Sequence, residues 1–203
     1  MIIAFTGPAG GGKTSVQNGI ITKQDIGEIP KRFGKVVTTT TREMRPDEIN
    51  GMHYHFWSHQ FDRFRKAVQE GEFIEHEKHP ANDHLYGMRF VSLKAVQELG
   101  LIPIVTVETK GAKNLKQNGR RLIDDDVIVI SIDVPEPKHE NTLIRLRGRG
   151  DKPEDIAHRM IVAETERKRI AEEGFCDHHI VNDNLERAIQ EFLGLCQICP
   201  VLL

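Results

Sequence analysis

The sequence predicts an α/β fold: a parallel β-sheet core flanked by helices, carrying one inserted lobe of mixed structure. Three observations predict it. Apolar runs that read as buried strands alternate with stretches of helical spacing. A complete glycine-rich loop lies between the first strand and the first helix. The segment 35–90 breaks the alternation with short strands, which marks it as an insertion into the core. At 203 residues the chain is long enough to bury such a core in one domain.

The elements follow in order. Met1–Thr6 reads as a short buried strand, and a helix opens near Ser15. The β-branched run Lys35-Val36-Val37-Thr38-Thr39 is strand-like. A turn-rich stretch from Arg42 to Gly51 leads to His53–Trp57, which alternates like a strand. Phe61, Phe64 and Val68 suggest an amphipathic helix ended by Gly71, and Phe73–Glu77 returns to a strand. Val91, Leu93, Val96 and Leu99 have helical spacing, closed by Gly100. The runs Leu101–Val107 and Val127–Ile132 have the continuous apolar character of buried parallel strands, separated by a helix around Ala112–Lys116. Then come a helix ending at Arg145–Gly150, a charged helix from Pro153 to Glu173, the strand His179–Val181 and a final helix from Leu185 to Leu195.

The run Gly7-Pro8-Ala9-Gly10-Gly11-Gly12-Lys13-Thr14 has the G-x-x-x-x-G-K-T spacing of a phosphate-binding loop. Glycines let backbone N–H groups turn around an anion, and the following helix adds the partial positive charge of its N-terminus. Lys13 reaches the β- and γ-phosphates, and the hydroxyl of Thr14 ligates the Mg²⁺ that travels with the nucleotide. A nucleoside triphosphate site on a P-loop NTPase-type core is therefore expected, with Ser15 completing its rim.

Composition bounds the remaining possibilities. A formal net charge of -2 lacks the basic excess of a protein that works on DNA or RNA. No stretch approaches membrane-span length and no signal-like segment precedes the first strand, so a cytoplasmic protein is expected. Cys176, Cys196 and Cys199 do not make a disulfide framework, and a lone C-x-x-C lacks the second ligand pair of a structural zinc site. Six histidines between 53 and 84 read as polar strand faces and loops rather than as ligands.

The inserted lobe holds groups suited to a second phosphate. Arg42 and Arg45 lie three apart, and paired guanidinium forks match a monophosphate dianion. Tyr54 and Tyr86, the two tyrosines of the chain, both fall in this lobe. The pattern Thr40-Thr41-Arg42-x-x-Arg45-x-x-Glu48-x-Asn50-Gly51-x-x-Tyr54-x-Phe56, then Gly71-Glu72-Phe73-Ile74-Glu75, then Tyr86-Gly87, resembles the GMP-binding lobe of guanylate kinases. The likeness continues through Lys110–Lys113, Arg145–Gly150, Arg159 and Val181-Asn182-Asp183, in the family's order over almost the whole chain.

The resemblance implies one guanylate kinase-like domain: core 1–34, 91–137 and 175–203, an acceptor (NMP-binding) lobe 35–90, and a helical lid 138–174. It implies ATP as donor, GMP and dGMP as acceptors, in-line phosphoryl transfer with Mg²⁺, and no tightly bound cofactor. Arg42, Arg45, Tyr54 and Tyr86 would hold the acceptor phosphate, while Glu75, Thr38 and Glu108 would face the guanosine. A carboxylate accepts from both N1–H and the exocyclic amine of guanine, whereas adenine presents a lone pair at N1. Arg145 and Arg149 would form part of the lid, with Arg159 on the next helix, and Asn182 and Asp183 would approach the adenine of ATP. Lys13, Arg45, Arg149 and Arg159 would carry the catalytic charge neutralisation.

The sequence departs from the family in three places. Met88 stands where a serine or threonine usually meets the base, Thr106-Val107-Glu108 replaces Asp-x-Asp, and Met44 and Asp47 replace a proline and a glycine. The lost donor at Met88 predicts a relaxed preference for guanine, and the first aspartate's place near Mg²⁺ passes to Thr106, to water or to nothing. Two other readings share the fold: a kinase for another nucleotide or phosphorylated acceptor, and a non-catalytic guanylate kinase-like module that binds a protein.

Overall fold

The computed structural model describes residues 1–46, 48–79, 83–148 and 153–198. In chain order these form β1 (Ile2–Thr6), α1 (Lys13–Asp25), β2 (Phe33–Lys35), β3 (Thr39–Thr40), β4 (His55–Phe56), α2 (Phe61–Gln69), β5 (Phe73–Lys78) and β6 (Leu85–Arg89). There follow α3 (Phe90–Gln97), β7 (Ile102–Thr106), α4 (Thr109–Ile123), β8 (Val127–Asp133), α5 (Lys138–Gly148), α6 (Pro153–Glu173), β9 (His178–Val181) and α7 (Leu185–Ile198).

Strands β2, β7, β1, β8 and β9 lie in that order in one parallel sheet. Both faces are covered, and the two-residue period of the strands divides the apolar side chains between them. Ile2, Ala4, Val105, Val127 and Val129 pack on one side with Leu93, Leu115 and Ile170 of α3, α4 and α6. Ile3, Phe5, Ile104, Ile130 and Ile132 pack on the other with Val16, Ile20, Ile189 and Phe192 of α1 and α7. The central strand β1 lies between β7 and β8, paired with both up to its end. The carboxyl end of such a strand is where α/β sheets bind ligands, and here it runs directly into the glycine-rich loop.

A second, mixed sheet has the order β4-β3-β6-β5, and α2 packs on it through Trp57, Phe64, Ala67 and Phe73. The run 35–39 is not one strand as expected. It is the passage between sheets: Val36 donates its N–H to Ile104 of the first sheet, and Thr38 already accepts from His55 of the second. The expected strand 53–57 shortens to His55–Phe56 because its partner β3 offers only two residues. The sequence reading missed β6. Its central Gly87 masks the pattern yet is required, since a Cβ there would lie 2.6 Å from the Phe73 ring and 2.8 Å from the Glu75 carbonyl.

The helices hold closely to expectation, with two corrections. Val91 and Leu99 do not join the buried stripe of α3; they are exposed, while Leu93 and Val96 are buried. The two-residue step from Val91 to Leu93 puts them on opposite faces, and Leu99 lies beyond the helix end at Gln97. Helix α4 runs well beyond 112–116, anchored by Ala112, Leu115 and Gly119 on a single face. Among the described residues no helix is long and apolar enough to cross a membrane.

Candidate active site

The glycine-rich loop closes on itself and on its neighbours. Gly7, Gly10 and Gly12 all have positive φ, and Gly12 is the residue from which α1 starts. Gly11 packs so tightly that a Cβ would collide with the Ile132 carbonyl oxygen at the end of β8. The side chain of Lys13 folds back over the loop, donating to the carbonyls of Gly7 (2.5 Å) and Pro8 (3.2 Å). Thr14 and Ser15 sit exposed in the first turn of α1. From the far side, Asn182 donates Nδ2–H to Gly11 O at 2.9 Å. Arg145 of α5 reaches the carbonyls of Gly10 and Gly11, both at 3.3 Å, and that of Asn182. Arg145 and Asn182 are therefore brought to the loop, whereas Asp183 is exposed and pairs with Arg187 at 2.9 Å.

A cleft between the two sheets is lined by Thr38, Tyr54, Glu75, Glu77, Tyr86, Gly87, Thr106, Val107 and Glu108. Glu75 is 6% exposed at its floor. The amide of Met88 donates to its Oε1 at 3.0 Å, which fixes the carboxyl's orientation. Burial, reinforced by the charges of Glu77 and Glu108, pushes the Glu75 carboxyl up to about 8. The thioether of Met88 is wholly buried in the apolar cluster with Ile74, Leu93 and Val105. This strand position thus supplies a backbone donor, already committed to Glu75, and no side-chain donor.

Tyr54 and Tyr86 stand edge to face with ring centroids 6.0 Å apart, and the Arg42 guanidinium lies 5.5 Å from the Tyr54 ring. Burial pushes the Tyr54 phenol up, so it stays protonated and able to donate. Glu48 grips Arg42 with a two-point fork at 2.9 and 2.7 Å and accepts the Arg45 N–H at 2.8 Å. Burial opposes ionisation of Glu48, but the Arg42 fork outweighs it and holds the carboxyl below its usual range. One carboxylate therefore fixes the Arg42 guanidinium and the backbone of Arg45.

His79 lies just beyond β5, beside two residues of the cleft wall. Its Nε2 lies 3.9 Å from Glu108 Oε1, and its ring is 5.6 Å from that of Tyr86. Burial lowers the His79 imidazole; Glu108 pulls the other way, and Arg159, Lys13 and His158 add to the depression. The charges of Lys13 and Arg159 are thus near enough to bear on His79. Glu108 starts α4 without capping it through its side chain; its carboxyl lines the cleft, between His79 and Glu166. Beside it, Glu166 of α6 is 5% exposed and accepts from Thr109 Oγ1 at 3.1 Å. Burial, with Glu108 alongside, raises the Glu166 carboxyl to about 7. Thr106 does not free a hydroxyl for a metal: its Oγ1 donates to Gln17 Oε1 at 3.1 Å. Arg149 lies outside the described residues, as do Asp47 and Cys199.

The family model described as guanylate kinase matches residues 1–196. The chain belongs to the guanylate kinase family. It is 32% identical to a guanylate kinase of Sus scrofa over 187 residues, which is 92% of this chain and 86% of that one. It is 31% identical to the guanylate kinase of Rubrobacter xylanophilus, covering 96% of this chain and 92% of the relative. The crystal structure of guanylate kinase from Anaplasma phagocytophilum superposes with a TM-score of 0.69 at 22% identity, covering 96% of this chain and 83% of that one, and supports the same fold.

Two groups of this guanylate kinase-family chain escaped the sequence reading. Glu166 falls seven residues after Arg159, on the buried stripe of Ile156, Met160, Ala163 and Ile170. A glutamate interrupting an apolar stripe was the available signal. Arg167 grips Asp133 at the end of β8 at 2.9 and 3.0 Å and donates to Thr142 at 2.6 Å. That network braces α5 and α6 against the strand on which the loop rests, and nothing in the linear spacing announces it.

Proposed function

We propose that this chain transfers the γ-phosphoryl group of ATP to GMP, giving ADP and GDP, with dGMP as a second acceptor. The reading is carried by one observation: a cleft with a buried carboxyl at its floor is walled by Thr106–Glu108, whose Val107 amide donates to Phe5 O at 3.0 Å on β1, the strand that runs into the phosphate loop. In this reading the loop amides and Lys13 hold the triphosphate, Lys13 exchanging its two carbonyl acceptors for phosphate oxygens. Arg145 and Asn182 brace the loop from outside, so it meets the nucleotide preformed.

Glu75 reads guanine through N1–H and the 2-amino group, and Met88's amide keeps its carboxyl aimed. Tyr54, Tyr86, Arg42 and Arg45 hold the acceptor phosphate, with Glu48 setting the Arg42 guanidinium and the Arg45 backbone. Arg159, together with Arg149, offsets the charge that spreads over the outer oxygens of the transferring group. The donors around the loop are hard oxygens, the Thr14 hydroxyl first among them, and suit Mg²⁺ rather than a softer metal. Bound with ATP, that ion would neutralise phosphate charge. Thr106 is committed to Gln17 and offers no free hydroxyl to the ion.

The test is a panel of GMP, dGMP, IMP, AMP and CMP with MgATP, read by coupled ADP release. GMP is expected to give the highest kcat/KM, and Glu75→Ala to abolish the advantage of GMP over AMP. Preference for AMP or CMP, or no effect of Glu75→Ala, would overturn the assignment.

A further inference from the structure

Strand β5 works as a ruler along the acceptor cleft. Glu75, Glu77 and His79 are spaced by two residues and fall on one face, about 7 Å per step. The ladder continues past the end of β5, because His79 donates its N–H to His84 O at 2.8 Å. The first of the three has the setting of a base reader, buried and held by the Met88 amide opposite. The last lies beside Glu108 at 3.9 Å, within the field of Arg159 and Lys13. Glu77 stands between them, opposite Tyr86. In a mononucleotide the sugar lies between base and phosphate.

Glu77 also carries an unspent acceptor. Its Oε1 pairs with Lys110 Nζ at 3.5 Å, but its Oε2 is shielded from solvent and has no hydrogen-bond partner among the described residues. A carboxylate oxygen left in that state costs free energy unless a ligand brings a donor. Ribose hydroxyls are donors that nucleotide sites commonly hold with a carboxylate.

We infer that Glu77 determines sugar specificity: its Oε2 accepts a hydrogen bond from the 2′-hydroxyl of the acceptor ribose, placing GMP ahead of dGMP. This deepens the guanylate kinase reading and rests on it. Lys110 fits the role, since its partly exposed ammonium balances the Glu77 charge through Oε1 and leaves Oε2 to the sugar.

The experiment compares kcat/KM for GMP, dGMP and IMP in the wild type, Glu77→Gln and Glu77→Ala, with thermal melts to confirm folding. The wild type is expected to favour GMP over dGMP by about tenfold or more, the range of a hydrogen bond to a charged group. In Glu77→Ala that ratio should fall to within about twofold, through loss on GMP and not gain on dGMP, with Glu77→Gln between. Glu77 also raises the protonation of Glu75, but that effect is common to all three acceptors and cancels in the ratios. A wild-type ratio near one, or a ratio unmoved in Glu77→Ala, would overturn the inference. So would a collapse of the GMP-to-IMP ratio instead, which would put Glu77 on the guanine amine. Absence of any GMP turnover in the wild type would remove the underlying kinase reading as well.

Discussion

Acceptor binding should release a proton, and Glu75 is its source. In the free protein burial holds this carboxyl at about 8, so at pH 7 the protonated form dominates by about ten to one. Guanine offers N1–H and an amine, both donors, so the bound state requires the carboxylate. Forming it at pH 7 costs about 1.4 kcal/mol, a tenfold loss of affinity, and at pH 8.5 almost nothing. The direction follows from a carboxyl raised in the free protein: binding strengthens as pH climbs toward the Glu75 value and levels off above it. Between pH 7.0 and 8.5 the Kd for GMP should tighten about eightfold, over a range in which the phosphate, ionising near 6, is already a dianion. Isothermal titration in two buffers of different ionisation enthalpy counts the protons directly. Close to one should leave at pH 7 and a small fraction at pH 8.5, and Glu75→Gln should abolish both the release and the slope. A flat Kd with no proton release would refute the burial argument for Glu75.

Two further outcomes follow from the packing. Gly11→Ala places a methyl against the carbonyl oxygen of Ile132, a backbone atom that cannot step aside, so the KM for ATP should rise at least tenfold while GMP affinity by calorimetry holds. Unchanged ATP kinetics would mean the loop does not hold its shape against β8. Glu48→Ala strips the fork from Arg42, leaving the guanidinium of a side chain only 12% exposed without its partner. This should cost about 1–3 kcal/mol, seen as a melting temperature lowered by several degrees, and should raise the KM for GMP more than that for ATP. Equal effects on the two substrates would argue that Glu48 is general scaffolding.

The elements legible in the sequence are those whose signals are local. The phosphate loop was readable because its strand, glycines and helix are contiguous, and α6 because Pro153 opens it and Gly174 follows its end. Strand β6 was not, since Gly87 answers to the approach of Phe73 from another strand. The run 35–39 looks like one strand because each half pairs in a different sheet, and residue composition cannot register that handover. Arg42, Tyr54, Glu75 and Tyr86 were named from a pattern, but what disciplines them was not. The grip of Glu48 on Arg42 and on the Arg45 amide depends on how the loop 42–48 turns, and the commitment of Met88's amide to Glu75 exists only once β5 and β6 are paired. Likewise, the commitment of Thr106 to Gln17 joins residues far apart in sequence, so only the fold decides which hydroxyl is available to a metal.

The most direct measurement is a single turnover with ATP labelled at the γ-phosphate, excess wild-type protein and GMP. The account predicts that the label appears in the β-phosphate of GDP without passing through free phosphate, and that Lys13→Ala slows its appearance on the order of 10²-fold or more. Label released to water whether or not GMP is present, or transfer at equal rates in the wild type and Lys13→Ala, would contradict it.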